Sequence, residues 1–269
     1  MSQLARVLGL AGASVLAYGW FEAGWLRTRV LEVPVDGLPP ELDGVRIAHL
    51  SDFHLGVPSR GTVAVERAVD WVAARRPDLV CTTGDLLSRP RGEQRLRRLL
   101  DRLGPGFAVL GNHDYAQSRD PFSRAVYVDD LGATVLLADE SRIVELRGLP
   151  VQISGIDPRS YSRGRARAEV RADASARLRI ALCHFPGLAR KLPQGAFQLV
   201  LSGHMHAGQI VLPYPGGRLL LAHPRARESS GLYRFGRTTL HVSPGLGTTF
   251  VPFRFFARPE VTELVLRPC

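Results

Sequence analysis

A chain of 269 residues that is 45% hydrophobic and 22% charged has a globular composition, with room for one large α/β domain or two small ones. Its net charge of +10 comes from 35 basic against 25 acidic residues, and Lys191 is the one lysine, so the excess is arginine. This reads either as arginine spread over solvated faces or as attraction to anionic lipid or phosphate-bearing substrates. No basic stretch is interleaved with aromatics, so no nucleic-acid partner is expected. Cys81, Cys183 and Cys269 are an odd count with two members inside strand-like runs, which excludes a disulfide framework and suits a reducing compartment.

Residues 7–21 carry no charge, Glu22 interrupts, and four more uncharged residues precede Arg27. The run is slightly short of the ~20 residues of a full span, and no small-x-small cleavage site follows it. Trp20, Phe21 and Trp25 at its end resemble an interfacial aromatic belt. Residues 1–28 are therefore expected to be a membrane anchor, spanning or lying deep in the interface; the rival reading is a buried core helix. Arg6 stands before the run and Arg27 and Arg29 after it, which tilts the positive-inside count toward a cytoplasmic catalytic domain, 29–269.

Alternation predicts a strand over 29–35, broken by Pro39-Pro40, and a second over 45–50 that delivers Asp52 and His54. His49, inside that strand, reads as a packing residue. Val65, Ala68, Val69 and Val72 recur at helical spacing, and Arg75-Arg76-Pro77 ends the helix. Residues 79–83 form a strand, and Gly84 then turns the chain so that Asp85 stands at the strand's end. Leu96, Leu99, Leu100 and Leu103 mark a further amphipathic helix, closed by Gly104-Pro105, and a strand over 107–110 leads into Asn112, His113 and Asp114. The second half is richer in strands, at 135–137, 142–146, 151–154, 180–183, 197–201, 210–212, 232–235, 239–242 and 261–266. Two of these end at His184 and at the pair His204 and His206. An arginine-rich stretch with Arg159, Arg163, Arg165, Arg167 and Arg171 intervenes, expected as a solvated loop or, alternatively, as a face toward anionic lipid or a cap on the site.

Asp52, His54, Asp85, Asn112, His184, His204 and His206 thus all follow short apolar runs beside turn residues. Oxygen and nitrogen donors without cysteine suit Mn, Fe or Zn better than a structural cysteine-type zinc site. Seven residues are too many for one ion and right for two if a carboxylate bridges. Two metals roughly 3.5–4 Å apart can bind a bridging hydroxide and clamp the attacking and leaving oxygens at phosphorus. The single spacer in Asp52-Phe53-His54 and His204-Met205-His206 fits both ligands of each pair on one side of an extended segment. Glycines at 84, 111 and 203 let the backbone turn there.

The runs SDFHLG at 51–56, GD at 84–85, GNHDY at 111–115, CHFP at 183–186 and GHMHAGQ at 203–209, in this order, resemble the calcineurin-like metallophosphoesterases. The closing segment 243–261 and the apolar N-terminus resemble a membrane-associated bacterial subgroup, which includes a UDP-2,3-diacylglucosamine diphosphatase. The resemblance implies a four-layer α-β-β-α sandwich at the bacterial inner membrane. It implies one metal held by Asp52, His54, Asp85 and His206 and a second by Asp85, Asn112, His184 and His204. It also implies a His113 that contacts phosphate and protonates the leaving oxygen, with Asp114 nearby to orient it. Arg254 suits a bidentate phosphate contact or, alternatively, packing, while His223 and His241 match no motif. The expected activity is hydrolysis of a phosphodiester or pyrophosphate, a lipid nucleotide foremost. The rivals are a phosphodiesterase or phosphatase acting on soluble nucleotides, other lipids or other phosphoesters and a metal-bearing membrane scaffold without turnover.

Overall fold

The computed structural model describes residues 2–126, 128, 130–164, 171–224 and 226–269. The chain opens with α1 (Gln3–Glu22), followed by β1 (Arg27–Val35), β2 (Arg46–Leu50), α2 (Gly61–Arg75), β3 (Leu79–Thr83), α3 (Glu93–Leu103), β4 (Gly106–Val109) and β5 (Thr134–Leu136). Next come β6 (Glu140–Leu146), β7 (Leu149–Ile156), α4 (Pro158–Ser162), β8 (Leu178–Cys183) and β9 (Leu199–Ser202). A hairpin of β10 (Val211–Tyr214) and β11 (Gly217–Leu220) precedes β12 (Gly231–Phe235), β13 (Thr238–Val242) and β14 (Glu260–Pro268).

Two six-stranded mixed sheets, β1-β14-β2-β3-β4-β5 and β12-β13-β9-β8-β7-β6, make up the domain. Ile47, Cys81, Phe107, Val109 and Leu264 of the first sheet pack on Ile153, Ile180, Leu182, Leu199 and Leu201 of the second in one buried cluster. Truncating one of these leucines to alanine costs about 2–5 kcal/mol. Helices α2 and α3 cover the outer face of the first sheet through Val65, Ala68, Val69, Val72, Leu96, Leu99 and Leu100. Arg76, in the left-handed region at φ 48°, and then Pro77 end α2. The outer face of the second sheet is covered more thinly, by α4 and the turn Pro186–Arg190 over Ile156, Ala181 and Cys183.

Parallel pairing of β2, β3 and β4 in one sheet and of β7, β8 and β9 in the other points their carboxyl ends the same way within each sheet. Open α/β sheets build their sites there. Two elements lay outside the sequence expectations. In α4 the sequence signal is Asp157-Pro158, whose carboxylate caps Arg159 N at 2.7 Å. In β11 it is the Pro215-Gly216 turn that closes the hairpin.

Among the described residues, α1 is the one helix long and apolar enough to cross a membrane. Its 20 residues rise about 30 Å, the thickness of a bilayer's hydrocarbon core. Leu4, Val7, Leu8, Leu10, Val15 and Leu16 are all exposed, so the rival reading of a buried core helix does not hold. Among the described residues, α1 meets the domain at its foot. There Glu22, the charge that interrupts the apolar run, is fully buried and its carboxylate accepts the N–H groups of Phe256 (3.0 Å) and Ala257 (2.7 Å). β1 begins at Arg27, so a border drawn between residues 28 and 29 falls inside this strand.

Candidate metal centre

The loop after β2 lies against the loop after β3. Asp52 N donates to Gly84 O and His54 N to Asp85 O, each at 2.9 Å, so parallel pairing continues past the strand ends and fixes Asp52 and His54 beside Asp85. Neither ligand pair is extended, contrary to expectation. Asp52, His54, Asp85, His204 and His206 all have positive φ, between 47° and 72°. This region is uncommon outside glycine, although Asp, Asn and His enter it more readily than most residues. At of order 1–3 kcal/mol each, such strain persists only where surroundings enforce it. It turns Phe53 into the core beneath α2 while its two neighbours face the centre. Gly84 also has to be glycine, because a Cβ there would lie 2.8 Å from His184 Nδ1 and 2.7 Å from Gly111 N.

The donor atoms form two groups, each able to hold a metal ion: Asp52, His54, Asp85 and His206, and Asp85, His184 and His204. Asp85 belongs to both. Its Oδ2 lies 3.2 Å from His184 Nε2 and 3.5 Å from His54 Nε2, while Oδ1 accepts His113 N at 2.8 Å. Burial alone would raise the Asp85 pKa, but the surrounding imidazoles of His184, His113 and His54 hold it well below the ordinary carboxylate value. His206 Nε2 stands 3.2 Å from Asp52 Oδ1 and 3.1 Å from His54 Nε2, and His204 Nδ1 stands 3.1 Å from His184 Nε2.

These residues fit divalent metals on two observations. Thr83 O accepts the proton of His184 Nδ1 at 2.8 Å, which leaves a bare lone pair on Nε2 aimed at Asp85 and His204. Asn112 Oδ1 is buried with no hydrogen-bond partner, an acceptor that a cation would satisfy. The opposed imidazole nitrogens and the orphaned oxygen make a donor set suited to divalent cations.

Residues 45–208 match the calcineurin-like phosphoesterase family. The chain belongs to that family. It is 32% identical over 238 residues to YkoQ of Bacillus subtilis (strain 168), named an uncharacterized metallophosphoesterase, covering 84% of this chain and 85% of that protein. YkuE of the same organism, named likewise, is 29% identical over 273 residues, 96% of this chain and 93% of its own length. The Danio rerio protein named transmembrane protein with metallophosphoesterase domain is 33% identical over 281 residues, 97% of this chain but 62% of that protein.

In this calcineurin-like phosphoesterase His113 is buried beside the centre. Its Nδ1 is 2.6 Å from Ser123 Oγ and 3.9 Å from Asp120 Oδ2, and its Nε2 is 4.0 Å from Asp85 Oδ2. Burial holds the imidazole below its ordinary value against the pull of Asp85. The expectation that Asp114 orients this ring is corrected. Its carboxylate accepts Gly111 N and Leu87 N, each at 2.8 Å, and so clamps the loop after β4 to the loop after β3. Ser123 and Asp120 fill the orienting place, and Thr249 Oγ1 donates to Asp120 Oδ2 at 2.9 Å. They follow no predicted strand and stand in none of the sequence runs that carry the resemblance.

For Arg254 the packing alternative holds and the phosphate contact does not. The side chain is fully buried, donates to Gly247 O (2.7 Å), Ala257 O (2.8 Å) and Pro244 O (3.1 Å), and stands 3.3 Å from His206 Nδ1. No substrate reaches it; it braces the closing loop behind His206. Arg159 pairs with Asp157 at 2.9 Å and lies 4.1 Å over the Tyr115 ring, while Arg165 and Arg167 lie outside the described residues. His223, which matched no motif, has its ring 5.6 Å from that of His204. It joins His206, Ile210, Leu221, Phe250 and Val251 around a cavity of about 420 Å³ beside the centre.

Proposed function

We propose that the protein hydrolyses a phosphodiester or pyrophosphate in a lipid-linked substrate presented by a membrane. The observation that carries the hydrolytic part is the single buried carboxylate of Asp85 shared by two donor groups. Asp52, His54, Asp85 and His206 would hold one divalent ion, and Asp85, Asn112, His184 and His204 the second. When bound, such ions supply Lewis acidity toward the phosphoryl group and activate water at neutral pH. The remaining chemistry belongs to the chain. With Ser123 Oγ accepting from Nδ1, a His113 imidazolium would carry its second proton on Nε2, the atom that faces Asp85, and give it to the departing oxygen, leaving the neutral ring. Asp114 keeps the two ligand loops in register, and Ser88 Oγ at 2.9 Å from His54 Nδ1 sets that ring's orientation.

The lipid-linked part is supported by the exposed apolar face of α1 and by the largely apolar cavity beside His206. The relative from Danio rerio is named a transmembrane protein. UDP-2,3-diacylglucosamine is the first substrate to try. UMP release by the full-length Mn²⁺-loaded protein, with Asp85→Asn as the blank, supports the reading. Cleavage of a soluble aryl phosphodiester without UMP release keeps the phosphoesterase and discards this lipid nucleotide.

A further inference from the structure

Where α1 meets the domain, a pocket of about 230 Å³ is lined by Arg27, Arg29, Arg218, Arg258 and Glu260, with Phe256 at its side. The catalytic reading makes no use of it. Glu260 is buried, 3.6 Å from Arg27 and 3.8 Å from Arg29. Arg218 and Arg258 form no ion pair among the described residues; backbone carbonyls hold them instead. Arg218 Nη2 donates to Phe256 O at 2.9 Å, and Arg258 donates to Trp25 O (3.0 Å) and Leu26 O (2.9 Å) with its guanidinium 3.9 Å over the Trp25 ring. Even with Glu22 counted, whose carboxylate is taken by two backbone N–H groups, four cations face two carboxylates. Arginines pre-set by carbonyls and left with surplus charge are suited to an oxyanion, since the guanidinium fork matches phosphate geometry.

The surroundings say which oxyanion. Arg27 and Arg29 open β1, directly after the foot of the apolar helix, and point to one face of the strand. Phe21, Trp25 and Phe256 stand exposed around them. Exposed aromatics at the end of an apolar helix lie at headgroup depth in a bilayer. We propose that this pocket binds the phosphate of an anionic lipid headgroup and so fixes how the domain sits on the membrane. The proposal rests on α1 meeting a membrane, not on the substrate reading, so either can fail alone.

The test uses the full-length Mn²⁺-loaded protein in neutral detergent, its melting temperature read with added phosphatidylglycerol, phosphatidylcholine or inorganic phosphate. Phosphatidylglycerol is expected to raise Tm by roughly 5–10 °C at a hundredfold excess over Kd. Arg27→Gln with Arg218→Gln removes that rise. Arg98→Gln with Arg142→Gln, an equal charge change on exposed arginines elsewhere, keeps it. An equal rise with phosphatidylcholine, or an undiminished rise in the Arg27→Gln with Arg218→Gln protein, overturns the proposal. A rise given as fully by inorganic phosphate overturns the lipid assignment. If the lipid-free melting curve shows that the double variant does not fold, Arg27→Gln alone must still reduce the rise.

Discussion

Asp85 Oδ2 lies 3.2 Å from His184 Nε2, joining an acid at the end of β3 in one sheet to an imidazole at the end of β8 in the other. The candidate metal centre is thus a seam between the two sheets, and cations bound there would tie them together. Removing divalent ions with a chelator is therefore predicted to lower Tm. Mn²⁺ added back restores it in proportion to ln(1 + [Mn²⁺]/Kd). A melting temperature indifferent to chelator would mean that the seam holds no ion.

His113→Gln removes the proton on Nε2 without touching a metal donor. Loss of a general acid typically costs 10²–10⁴-fold, so kcat is expected to fall by about that factor with bound metal unchanged. The loss shrinks for aryl esters, whose leaving oxygens need little protonation. Ser123→Ala, which frees Nδ1 from its 2.6 Å partner, is expected to lower kcat by less. Equal losses on alkyl and aryl substrates would count against the acid role.

Arg254→Met strips hydrogen bonds from the buried carbonyls of Gly247, Ala257 and Pro244. Each buried acceptor left unpaired costs about 1–3 kcal/mol. Stability should drop by at least about 3 kcal/mol, a Tm loss of roughly 6 °C or more. A side chain that instead bound substrate phosphate would raise KM and leave Tm in place.

The His49 and His241 Nδ1 atoms are 2.7 Å apart between the two sheets. Burial pushes His49 down to about 3 despite Asp52, and burial and His49 push His241 well below its usual value. The unfolded chain takes up these protons near 6.5 and the folded chain does not. Between about 6.5 and about 3 the unfolded state binds more protons, so stability present above 6.5 is lost as pH falls through this window. Tm measured from about pH 7 to about pH 5 should fall, and fall less steeply in a His49→Leu, His241→Leu double variant. Parallel curves would show that the pair is not the sensor.

What the sequence made legible follows the range of the interactions. Asp52, His54, Asp85, Asn112, His184, His204 and His206 each follow an apolar run at short spacing, so strand, turn and donor are read together. His49 reads as packing because it sits within β2, and its partner comes from β13, far along the chain. Asp114 was misread because one of its partners is the Leu87 N–H of another loop, which no local pattern encodes, and burial decides between the two readings of Arg254. Ser123 and Asp120 escaped notice because their link to the site is side-chain contact with His113, from a loop that carries no strand signal. The extended geometry expected at Asp52 and His54 gave way to positive φ, because loop pairing across β2 and β3 outweighs local preference.

Asp85 is the residue that both donor groups share. Full-length protein with Mn²⁺ and bis(p-nitrophenyl) phosphate, compared with Asp85→Asn under the same conditions, tests that shared role directly. Partners of a metal ligand already matter 10–100-fold, so loss of the shared ligand should cut p-nitrophenol release at least about a hundredfold while the variant remains folded. Equal release by the two proteins would contradict the account.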